Sequence, residues 1–317
     1  MGAGTPIGMN RRPNRPAVVN GVPRASSQVA PTSSPTVGAP APAGFLFEDS
    51  LPYAEPSFAL AISHCPWRPD RSLIMQSIRK SLGVEKSTSA RFQQGEVAGP
   101  YREIIDRAPN HVWSRIMWRW GAAQSVTHVV YLQDDLRIAP NFWQVVREMV
   151  CAVPRRVIGL ISNHPLSYKA LEAGHAWYRI CETLGSGYIV PTVLMGVFLE
   201  WESRQSEATK RECEDFVLTR WQYETGRRSW CPIPTVIQTI DGIATTDPRV
   251  SYPFRRSYIT WEDEPKSPIS TLAYWQSKNT PPPDFGPTVG NDSRMARGPF
   301  ADGEVLQAHA RRQRRPR

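Results

Sequence analysis

Between residues 53 and 277 apolar positions recur in two rhythms, short continuous runs and helical repeats, and the two alternate along the chain. Phe58–Ser63 is a short apolar run that predicts a buried strand. Asp70 can then cap a helix carrying Leu73, Ile74, Ile78 and Leu82, closed by Gly83. Residues 84–100 fit neither rhythm. A second helix is predicted from Asn110, with Trp113, Ile116, Met117 and Trp120 on one face. Thr127–Leu132 is a strong strand ending in Gln133-Asp134-Asp135. Asn141 opens a helix with Phe142, Val145, Val146, Met149, Val150 and Val153 at the 3.6 period, stopped by Pro154. Val157–Ile161, Ala176–Cys181 and Ser186–Val190 read as strands, followed by a short helix over Thr192–Trp201. A longer helix over 211–225 ends at Gly226, and Trp230–Ile240 reads as a final strand broken by prolines. This alternation predicts an α/β/α sandwich around a mostly parallel central sheet.

Composition sets the limits of that domain. The chain has 317 residues, and its 30 prolines and 21 glycines concentrate towards the ends. Residues 1–52 are a Pro/Ala/Ser-rich tail, and 278–317 are Pro-rich and then Arg-rich. Both read as disordered flanks of a folded body at 53–277. The net charge of +9 divides unevenly: residues 311–317 carry five Arg and no acid, while residues 53–310 balance to +2. The high pI is therefore mostly a property of the tail, which could tether the protein to a polyanion or simply be solvated.

The five cysteines are far apart and contain no Cys-x-x-Cys pair, so neither a disulfide framework nor a zinc site is expected. The longest uncharged stretch of the folded body, Thr183–Leu199, falls short of the ~20 apolar residues a membrane span needs. No apolar stretch follows Arg11, Arg12 and Arg15, so no secretory signal is read. A cytoplasmic protein without a membrane span is the resulting expectation.

The candidate chemistry lies at Asp134-Asp135. Ligands of open α/β sheets bind outside the carboxyl ends of strands. Two adjacent carboxylates exposed there repel unless a cation is near, and hard oxygen ligands suit Mg²⁺ or Mn²⁺. The alternative is a polar turn in which one Asp caps the next element.

The run Thr127–Leu136 followed by Pro140-Asn141-Phe142 resembles the Asp-x-Asp region of GT-A-fold glycosyltransferases. Phe58–Arg68 is similar to that family's first strand and nucleotide-facing loop, and the helix from Asn110 precedes the acidic strand as it does there. Gly185–Pro191 resembles its acceptor segment, and Glu214-Asp215 with Pro234–Gln238 its late acidic motif and closing strand. The likeness covers residues 57 to about 250. Phage and plasmid glycosyltransferases show a similar motif layout.

The resemblance implies a GT-A-like fold and a nucleotide-sugar donor. It implies Asp135 as a metal ligand, Asp134 facing metal or ribose, and Mn²⁺ or Mg²⁺ as cofactor. His64, Arg68 and Gln133 would join Asp134 at the donor, with Gly187 and Tyr188 at the acceptor. Asp215, or Glu214 beside it, would be the general base of an inverting transfer. Thr239 stands where family members often carry a metal-assisting His. The phage likeness and the Arg tail together imply a hydroxyl on a polyanion, such as a hydroxymethylated DNA base, as one acceptor; a carbohydrate or protein is the other.

Trp67 could stack on a base, and Asn163-His164-Pro165 follows another strand end, although both also read as ordinary loops. Arg115 with Arg119 reads as a solvated helix face rather than a phosphate clamp, and Arg155-Arg156, Arg227-Arg228 and Arg255-Arg256 read as unrelated pairs rather than as one basic surface around the site. There is no Gly-x-x-x-x-Gly-Lys loop, Gly-x-Gly-x-x-Gly, Gly-x-Ser-x-Gly or His-Glu-x-x-His. A sugar nucleotidyltransferase is the rival enzyme, although the loop His64–Arg68 lacks the glycine it would need. A non-catalytic nucleic-acid-binding protein acting through its Arg tails is the rival from another class.

Overall fold

A computed structural model describes residues 55–66, 68–84, 90–105, 113–161, 166–181, 186–210, 214–240, 257 and 259–261. Both tails expected from the sequence lie outside the described residues, as do Trp67 and the Asn163-His164-Pro165 turn. The elements are β1 (Phe58–His64), α1 (Pro69–Ser81), β2 (Arg91–Gln94), β3 (Val97–Ile105), α2 (Trp113–Ala122), β4 (His128–Gln133), β5 (Leu136–Ile138) and α3 (Phe142–Ala152). They continue as β6 (Val157–Gly159), α4 (Leu166–Glu172), β7 (Trp177–Ile180), β8 (Gly187–Pro191), α5 (Thr192–Ser203), α6 (Glu207–Lys210), α7 (Glu214–Thr225), β9 (Ser229–Pro232) and β10 (Ile237–Thr239).

The main sheet has eight strands in the order β2-β3-β1-β4-β8-β6-β9-β7, and β5 with β10 forms a second, two-stranded sheet. Strands β1, β3, β4, β6 and β9 run one way, and β2, β7 and β8 run the other. The sheet is thus mixed, with most strands in one direction, and is compatible with a Rossmann-like arrangement. The reversal of β8, between β4 and β6, departs from the simple parallel expectation. All five of its residues are buried, and a continuous apolar run carries no mark of direction.

All seven residues of β1 are buried, as a central strand requires. Successive side chains point to opposite faces. Leu60 and Ile62, with Val130 and Leu132 of β4, pack against Met75 and Ile78 of α1 and Val145, Val146 and Met149 of α3. Ala59 and Ala61, with Val129 and Tyr131, pack against Met117 and Trp118 of α2, Leu194 and Phe198 of α5, and Val217 and Trp221 of α7. Two apolar layers on two faces make the α/β/α sandwich expected from the pattern.

Helix α1 positions the site. Pro69 opens it, where a missing N–H costs no hydrogen bond. Gly83, at φ 73°, turns the chain out of it. Its buried face is Arg71, Met75 and Ile78, continued by Leu82. Leu73, expected on that face, is 70% exposed.

Candidate functional site at the carboxyl edge of β1 and β4

From β1 the chain goes to one side of the sheet for β3 and returns to the other side for β4. The carboxyl ends of β1 and β4 therefore flank a topological switch point, the usual crevice for a ligand in an open α/β sheet. Ser63 is in register with Gln133, which sets His64 level with Asp134.

There the side chains form one buried network. His64 Nδ1 lies 2.8 Å from Asp134 Oδ2, and the Cys65 backbone N–H donates to the same oxygen at 2.7 Å. Arg71 reaches in from the first turn of α1. Its Nη1 donates to Asp134 Oδ1, and its Nη2 donates to Asp135 Oδ2 at 3.0 Å. Exposure is 5% for His64, 3% for Arg71, 1% for Asp134 and 2% for Asp135. Burial alone would push the Asp134 carboxyl up. The His64 bond, the Arg71 charge and the Cys65 N–H outweigh it and hold that carboxyl below its usual value. Burial likewise works against the Arg71 charge, but Asp135 and Asp134 more than compensate and raise its pKa.

The acid pair, expected from its place after the strand to be exposed and to need a cation, is instead buried and already paired with one. The cation is Arg71. A divalent ion needs oxygen lone pairs that are not already committed. Both Asp134 oxygens accept hydrogen bonds, and one Asp135 oxygen is held by the same guanidinium. Among the described residues no group of three or more His, Cys, Asp or Glu side chains is arranged to hold a metal ion. In this arrangement the donor set does not fit Mn²⁺ or Mg²⁺.

The other expected site residues are distributed as follows. Arg68 precedes α1 and is half-buried, with its Nη2 2.6 Å from Asp70 Oδ2. Gln133 is half-buried, and its backbone N–H donates to the Ser186 carbonyl at 3.0 Å. Gly187 is buried opposite Leu132, and a Cβ there would come within 2.4 Å of Ile237 Cδ1, so its smallness serves packing. Tyr188, expected at the acceptor, is 1% exposed, and its hydroxyl accepts the Trp118 indole N–H at 3.0 Å. It belongs to the core between β8 and α2 because its position on β8 points it into that layer. Glu214 and Asp215 begin α7; their side chains lie outside the described residues. Thr239 is buried opposite Leu136, and the next residue's N–H, on Ile240, donates to the Asp135 carbonyl at 2.9 Å. The closing strand thus meets the acid pair.

Arg71 is the residue that sequence reasoning missed. Its signal was register: it precedes Met75, Ile78 and Leu82 at intervals of four, seven and eleven, on the buried face of α1. A charged residue on such a face needs a buried partner.

A groove of about 580 Å³ lies elsewhere, lined by residues that include Gln94, Glu96, Asn141, Gln144 and Arg147, and none of the four network residues lines it. No helix among the described residues is long and apolar enough to cross a membrane. No family model matches the chain, and no curated protein matches it.

Proposed function

We propose that the protein is a glycosyltransferase that moves a sugar from a nucleotide-diphosphate sugar to an acceptor hydroxyl. The observation that carries this reading is the convergence of His64, Arg71, Asp134 and Asp135 at the switch point between β1 and β4. Support also comes from β10, whose end meets Asp135 in the place the family resemblance gives its closing strand.

The donor lies along the carboxyl edge, with Arg68 and Gln133 beside the network. The acceptor oxygen attacks the anomeric carbon while the bond from that carbon to the diphosphate oxygen breaks, its electron pair leaving with the diphosphate. The acceptor's proton passes to Asp215, or to Glu214 beside it. Helix α7 is separated from β9 by only residues 226–228 and packs Val217, Leu218 and Trp221 on the sheet. A helix running back along the sheet from that short connection starts near the carboxyl edge. An acid at a helix start is also favoured by the helix dipole, so the kinetic test must separate the two roles.

A radiolabelled-sugar assay with a panel of nucleotide sugars tests the proposal. Acceptors are glycans, protein, unmodified duplex DNA and hydroxymethylated duplex DNA. Transfer to any hydroxyl supports the reading, and the acceptor labelled identifies the substrate class. Asp215→Asn should lower turnover ~10²–10⁴-fold with donor affinity nearly unchanged. No binding or turnover of any nucleotide sugar would overturn it.

A further inference from the structure

We propose that Arg71 permanently occupies the place a divalent cation would take between Asp134 and Asp135, so that the site takes a diphosphate-bearing ligand without a metal ion. Only the class of ligand rests on the glycosyl-transfer reading; the arginine's occupancy of the acid pair does not.

Three observations carry it. One guanidinium bridges the two carboxylates, through Nη1 to Asp134 and Nη2 to Asp135. The three side chains are buried together, so the bridge is not a surface pairing that water exchanges. The other oxygen of Asp134 accepts from His64 and the Cys65 N–H, so both of its oxygens are already engaged by the protein's own donors. A guanidinium suits this position because it stays charged, and its planar fork addresses two acceptors at once. For a metal ion to enter, Arg71 would have to leave a buried position with its charge uncompensated. Arg71 is thus a positioning residue: it holds the acid pair, and through Asp134 it holds His64, at the carboxyl edge of β1 and β4.

The test uses the full chain and two probes, Mn²⁺ followed by electron paramagnetic resonance, and UDP or GDP followed by calorimetry. The wild-type protein should show no saturable binding of Mn²⁺ at micromolar concentration. Its nucleotide affinity should be the same in chelator as in Mn²⁺. Arg71→Met removes the fixed charge and the guanidinium fork while keeping an unbranched stem that reaches as far as the Nε position. This variant should acquire saturable Mn²⁺ binding, and Mn²⁺ should raise its Tm, since a ligand specific for the native state stabilises it. Saturable Mn²⁺ binding by the wild type overturns the proposal, as does a nucleotide affinity that falls tenfold or more on chelation. A folded Arg71→Met that still takes no Mn²⁺ overturns it too, because the guanidinium is then not what excludes the ion. If Arg71→Met does not fold, the wild-type titration decides alone. If neither nucleotide binds under any condition, glycosyl transfer fails as a reading, and the Mn²⁺ titrations still decide this one.

Discussion

His128 begins β4 fully buried, with Nε2 2.7 Å from the Pro154 carbonyl. Burial pushes its pKa down to about 4, against the partial support of that carbonyl. The folded protein therefore holds a neutral imidazole where the unfolded chain protonates near 6.5. Below pH 6.5 the unfolded state binds more protons, so His128 contributes its full stability above that pH and loses it progressively down to about 4. The difference corresponds to about 3 kcal/mol. Urea unfolding at pH 7 and pH 4.5 should show wild-type stability falling more steeply than that of His128→Gln. Equal slopes would contradict the assignment. Asp134 shifts in the same direction: its carboxyl is also held low in the folded state, so its contribution persists through this window and is likewise lost on acidification, but only at more acidic pH.

At the scale of elements, Gly83 joins two of them. It ends α1 at φ 73°, and its carbonyl accepts the Gln93 N–H of β2 at 3.0 Å. A Cβ there would stand 1.9 Å from the Gln93 carbonyl oxygen. The backbone conformation alone costs an alanine about 1–3 kcal/mol, and the clash adds to it. Gly83→Ala should lower Tm by several degrees, whereas Gly95→Ala in the β2–β3 turn, also at positive φ but with open space around its Cβ, should cost less. Equal losses would show that the close approach to β2 carries no weight.

The sequence pattern foretold β1, β4, α3, α5 and α7 to within a few residues because each is a sustained apolar run or a sustained 3.6 repeat. It left out the hairpin of β2 and β3. Arg91, Gln93 and Gln94 on β2 dilute its apolar signal, and Gly99-Pro100 interrupts β3. It also merged β9 with β10, which the Pro232–Pro234 stretch divides between two sheets. Asp134 and Asp135 were legible because a polar pair abruptly ends a buried strand. Arg71 was legible only as a charge in the register of a buried helix face; its partners lie 63 and 64 positions away, and only the folded chain brings them together.

At the scale of the whole molecule, charge and fold are separable. Five of the Arg residues lie in 311–317, and the body is nearly neutral. A chain ending at His309 should keep the wild-type Tm and nucleotide affinity. Its retention on duplex DNA should weaken, and its affinity should fall less steeply with salt, since each phosphate contact releases counterions. An unchanged salt slope would assign any DNA affinity to the body instead.

The order of the main sheet also bears on how copies of the protein meet. A parallel core such as β3-β1-β4 would leave the nine residues of β3 as an open row of backbone donors and acceptors, a template for another chain. Strand β2 covers part of that row, presenting four residues with Arg91 and Gln93 turned to solvent. At the far side β7 is equally short and carries Arg179. Among the described residues, the main sheet therefore ends on both sides in four-residue strands bearing a charge. Such edges offer little purchase for edge-to-edge aggregation and help a concentrated solution of folded copies remain dispersed.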